Sequence, residues 1–145
     1  MLNVIYVLVV AILVTGINLS ALFTSTQPSI WQSAASAIFL VFWLLFSVYK
    51  GLNREQSFLK FATIFWLIGL AVSFSAVIDV LRPLAVASVF IFTGASYGLL
   101  YYVTDGFVGT QYIFLAIGIP FTLSIVGYFI GTVIGKVETT QKAEQ

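Results

Sequence analysis

A chain of 145 residues that is 61% hydrophobic and 8% charged, with a net charge of +1, is not a water-soluble domain. Such domains hold roughly 45–50% apolar and about 25% charged residues. With no histidine and no cysteine, the usual zinc and copper ligand sets, haem ligation by histidine, iron–sulfur clusters and thiolate chemistry are excluded, and no metal or cofactor is expected.

A helix needs roughly 20 apolar residues to cross a hydrocarbon core about 30 Å thick. Runs of that length occupy residues 2–23, 30–49, 58–78, 84–103 and 112–134. The expected fold is therefore an all-α integral membrane protein, a single bundle of five transmembrane helices over residues 1–134, followed by a polar C-terminal tail over 135–145. A four-span alternative makes one segment re-entrant or peripheral. The first run is the candidate, because Thr15, Gly16, Asn18 and Ser20 dilute its second half.

The same run has the apolar length of a signal peptide, but no basic residue precedes it and no clear small-x-small site follows. A retained helix is expected. Ala11, Thr15, Asn18 and Leu22 share one helical face. Asn18 is expected to bond a neighbouring helix, with a polar or gating contact to a solute as the alternative.

Pro28 and the hydroxyls of residues 24–29 mark the first turn. In the second run Ser33 and Ala37 stand four residues apart. Residues 50–57 form the most polar connection. Gly69 and Ser73 repeat the small-residue spacing in the third run, where Ser73 and Ser75 are expected to return their hydroxyls to the backbone one turn earlier.

Asp79 to Pro83 is the only break before the fourth run and predicts a tight helical hairpin, with Pro83 in the first turn of the next helix. Asp79 and Arg82 are three residues apart and meet if helical geometry persists. They read as an interfacial turn or, more sharply, as a gate or proton site. Asp79 and Asp105 flank the fourth run, so about 30 Å separates them and they form no catalytic dyad.

Gly94 and Gly98 in the fourth run, and Gly127, Gly131 and Gly135 in the fifth, have the spacing that brings transmembrane helices close. They are expected to pack helices of this chain or to dock another subunit. Pro120 predicts a kink that Thr122 and Ser124 moderate. Trp31, Tyr49, Tyr101, Tyr102 and Tyr112 lie near run ends as an interfacial belt. Trp43 and Trp66 lie deeper.

With the N-terminus cytoplasmic, Lys50, Arg54 and Lys60 fall inside, while an odd number of crossings places Arg82, Lys136 and Lys142 outside. The concentration of charge around one loop favours that orientation. Basic residues are too scattered for nucleic-acid binding. No phosphate-binding glycine loop is present, and every lysine lies at or beyond a run edge, away from any serine it could activate.

The expected function is that of a non-catalytic polytopic membrane subunit or assembly partner of a larger complex. Its partners would be membrane lipids and other transmembrane subunits or copies of itself. The alternative is a small transporter or channel acting as a homo-oligomer, using Asn18, Asp79 and Arg82.

Overall fold

The computed structural model describes residues 2–75, 86–106 and 109–143. They form five helices long and apolar enough to cross a membrane: α1 (Leu2–Thr24), α2 (Ile30–Leu52), α3 (Ser57–Phe74), α4 (Val86–Thr104) and α5 (Thr110–Ala143). The fold is an all-α, five-helix membrane bundle. α1 is one 23-residue helix with Thr15 and Asn18 fully buried on its inner face, so the first run is not a peripheral or re-entrant segment.

Local chemistry sets the helix ends. Thr26 N–H donates to Ala21 O at 3.1 Å and Ser25 N–H to Leu22 O at 3.4 Å. This paired closure satisfies the last carbonyls of α1 and requires a left-handed residue, here Ser25 at φ 51°. α2 opens with a capping box, in which Gln32 N–H donates to Ser29 Oγ and Ser29 N–H to Gln32 Oε1. α2 closes like α1: Arg54 at φ 53° is the left-handed residue, and Glu55 N–H reaches Lys50 O at 3.1 Å. Beside this turn Lys50 Nζ pairs with the Glu55 carboxylate at 2.9 Å.

α5 continues past residue 135 to Ala143, so most of the expected polar tail is helical. No glycine or proline interrupts residues 136–143, and nothing local stops the helix. It also runs unbroken across Pro120, where the Ser124 hydroxyl donates to Pro120 O at 2.6 Å.

The direction of each helix follows from its contacts. Phe46 meets Phe58 and Trp43 meets Trp66, so α3 runs opposite to α2. Gly127, Gly131 and Gly135 face Leu44, Val48 and Leu52 in turn, so α5 runs with α2. Asn18 bonds Ala95, Tyr97 reaches Thr26 and Tyr102 reaches Pro28; α4 therefore runs with α1 towards the α1–α2 turn.

Two expectations change. First, α3 and α4 are parallel, which rules out a tight hairpin between them. The turn expected at Asp79 to Pro83, with Pro83 opening the next helix, itself lies outside the described residues. Apolar run lengths count helices but do not give their directions. Second, the far end of α5 lies beside the α2–α3 loop, with Arg54 Nη2 at 3.4 Å from Gly135 O. Lys136 is thus on the same face as Lys50, Arg54 and Lys60, not the opposite one.

α4 is the central helix: half of its span is buried, against about a third for the others. Aromatic rings fill the space beside it, with Trp43 and Trp66 centroids 5.0 Å apart and Phe65 and Phe92 4.9 Å apart. Gly69 admits the Phe92 ring, since a Cβ there would stand 2.5 Å from it.

Candidate functional site

The most unusual local chemistry lies in α4. Residues Val89–Thr93 form a π turn and Gly94–Ser96 a 3-10 turn before regular helix resumes at Tyr97. The run Val89-Phe90-Ile91-Phe92-Thr93 is β-branched and aromatic, poor helix-forming material, and small residues follow. Gly94 N–H bonds five residues back to Val89 O, whereas Tyr97 N–H bonds three back to Gly94 O. The shift in register leaves backbone groups without their usual partners. In hydrocarbon each unpaired group costs several kcal/mol, so irregular backbone persists at membrane depth only when enclosed by protein. Every residue from Phe92 to Gly98 is buried.

Side chains from three helices bond backbone groups in and beside these turns. Tyr112 of α5 donates its hydroxyl to Thr93 O at 2.7 Å. Asn18 of α1 turns Nδ2 towards Gly94 O at 3.2 Å, Ala95 O at 3.1 Å and Ser36 Oγ at 3.0 Å. The two carbonyls fix the orientation of the amide, because Oδ1 in that place would set lone pairs against lone pairs. Ser36 of α2 also accepts Gly98 N–H at 3.0 Å, and Ser33 donates to Gly98 O at 2.9 Å. Gln32 extends the junction to α1 by donating Nε2 to Ile17 O at 3.0 Å and Ser20 Oγ at 3.1 Å. Among the described residues, the buried Thr15 Oγ1, Asn18 Oδ1 and Ser96 Oγ have no hydrogen-bond partner.

Glycines permit these approaches. A Cβ at Gly98 would collide with Gln32 O, and one at Gly94 would stand 2.6 Å from Thr15 Cγ2. Gly127, Gly131 and Gly135 instead form a continuous seam with α2: a Cβ at Gly131 would collide with Val48 O, and one at Gly127 would lie 2.7 Å from Leu44 O. α2 contributes Gly51, where a Cβ would run into Tyr128 O. Gly94, Gly98, Gly127, Gly131 and Gly135, singled out from their spacing, thus pack helices of this chain against one another, and the glycine face of α5 is covered by α2.

Asn18 sits at the centre of the junction, whereas Asp79 and Arg82 lie outside the described residues. Tyr112 departs from the interfacial role expected of it: its ring is 1% exposed and its hydroxyl points inward to α4. A tyrosine near the end of an apolar run carries no sign of which way it faces. Ser75 returns its hydroxyl to Val72 O at 2.6 Å, but Ser73 Oγ has no partner among the described residues. Sequence reasoning missed Gln32, Ser36 and the break itself. The Ser29-x-x-Gln32 capping pattern was a usable signal for Gln32, while Ser36 looks like any small residue in an apolar run.

The fold and this junction define the class, a helical membrane bundle with a broken, clamped central helix. No known protein family, curated protein or solved structure matches the chain.

Proposed function

We propose that the chain is a non-catalytic subunit or assembly partner of a larger membrane complex. The supporting observation is the use made of its interior polar groups. Asn18, Gln32, Ser33, Ser36 and Tyr112 all bond atoms of neighbouring helices, so groups that would face a solute in a transporter hold the bundle together here. On the outer face of α1, a Cβ at Gly16 would meet nothing within 4 Å, and Leu13 and Ile17 beside it are exposed. Such a notch suits close approach by a partner helix.

The test is purification in mild detergent from native membranes. The unaltered chain should carry a stoichiometric partner that Gly16→Leu releases without lowering the chain's own melting temperature. A chain that purifies alone, or a partner indifferent to Gly16→Leu, contradicts the proposal.

The break in α4 favours one other reading, since transporters build solute sites from discontinuous helices. In that case the purified chain would support solute flux in liposomes, and Asn18→Ala would abolish it. Absence of flux for small cations, anions and neutral solutes counts against that reading.

The charge distribution supports a cytoplasmic N-terminus. Lys50, Arg54, Lys60 and Lys136 share the face on which α1 begins, while the loops over 25–29 and 105–109 carry Asp105 as their only charge. The chain has no cysteine, so single introduced thiols report cleanly. In intact cells an impermeant maleimide should label Ser25→Cys and spare Asn53→Cys; the reverse pattern would invert the orientation.

A further inference from the structure

One lateral groove begins at a lysine and runs into the hydrocarbon region. Near the start of α3 a depression of about 360 Å³ is lined by Leu59, Lys60, Thr63 and Ile64. Thr63 also lines an apolar cleft of about 200 Å³ between α3 and α5, bounded by Trp66, Leu67 and Leu70 on one side and by Gly118 and Phe121 on the other. Thr63 lines both, so the two lie next to each other along α3. α3 and α5 lie antiparallel along the cleft, and Gly118 keeps it open, because a Cβ there would meet nothing within 4 Å.

Length and charge indicate the occupant. Lys60 and Leu70 are ten residues apart, about 15 Å along a helix and half of the roughly 30 Å hydrocarbon core. That is the depth of one leaflet, the reach of one acyl chain. Lys60 is exposed, and among the described residues it makes no ion pair or hydrogen bond, whereas Lys50 on the same face is committed to Glu55. A free ammonium at headgroup level above an apolar slot one leaflet deep matches a lipid with a negatively charged head.

We infer that the α3–α5 groove is a binding site for a single anionic phospholipid, its phosphate at Lys60 and one acyl chain seated between Thr63, Leu70 and Gly118. The inference does not depend on whether the chain has a protein partner. Gly118 thereby has a role distinct from that of the glycines in the α2–α5 seam: its missing side chain leaves space for a ligand, not for another backbone.

The test is native mass spectrometry of the purified full chain titrated with phosphatidylglycerol or phosphatidylcholine, alongside thermal unfolding to verify the fold. One phosphatidylglycerol should be retained in preference to phosphatidylcholine. Lys60→Gln should reduce that preference roughly fivefold, equivalent to the approximately 1 kcal/mol that a basic residue contributes near an anionic surface. Gly118→Leu should lower retention of both lipids by filling the slot, and Arg54→Gln should leave retention unchanged. Equal retention of the two lipids by the unaltered chain would overturn the site. So would an Arg54→Gln loss as large as that of Lys60→Gln, which would mean diffuse surface charge. Retention unaffected by Gly118→Leu in a chain that still unfolds cooperatively would also overturn it.

Discussion

The α2–α5 seam and the junction around α4 solve the same problem by different physics. Along the seam, Gly127, Gly131 and Gly135 bring backbone against backbone, and contact area holds the helices together. At the junction, Asn18, Ser36, Ser33 and Tyr112 bond backbone groups in and beside the irregular turns of α4. The seam can use shape alone because both helices remain regular there and satisfy their own backbones. α4 cannot, because its π and 3-10 turns leave groups that lipid would not solvate. Glycines thus bring helices close at both places, and the clamping polar side chains gather where the backbone is irregular.

This contrast can be broken from either side. The largest effect should come from Gly131→Leu, since the new side chain starts inside the space of Val48 O. We expect loss of more than about 3 kcal/mol, read as failure to unfold cooperatively in a denaturant titration. A stable Gly131→Leu chain would mean that the seam is looser than its geometry. Next comes Asn18→Ala, which leaves the Gly94 and Ala95 carbonyls without their amide donor. A loss of roughly 2–3 kcal/mol is expected by the same titration, with the seam intact. A smaller effect, about 1 kcal/mol, is expected from Tyr112→Phe, which removes one donor and keeps the ring. If Tyr112→Phe proved neutral, the hydroxyl would be incidental and burial of the ring would account for the tyrosine.

Much of the fold was legible in the sequence because lipid imposes a simple rule: helices must be long and apolar. The five runs and the turns at Pro28 and residues 50–57 follow from that rule and from local capping chemistry. Helix direction did not follow, because run length carries no sign. The parallel course of α3 and α4 is fixed by contacts such as Phe92 on Gly69 and Tyr102 on Pro28, which join residues far apart in sequence. Asn18 was legible as the one amide deep in an apolar run. Its partners were not, because they are backbone carbonyls exposed only by the break in α4. The break itself arises from Val89–Thr93 meeting Gly94–Ser96, a pattern that many intact membrane helices tolerate.

The central claim is that interior polar groups tie helices together, and the Asn18–Ser36 contact at 3.0 Å tests it most directly. Asn18→Ala, Ser36→Ala and the double substitution form a cycle in which unfolding free energies isolate the pair. The account predicts a favourable coupling of about 0.6 kcal/mol, the average for interhelical hydrogen bonds in a membrane, and at most about 1.7 kcal/mol. Substitutions that simply add, within about 0.3 kcal/mol, would contradict it and leave Asn18 free for another task.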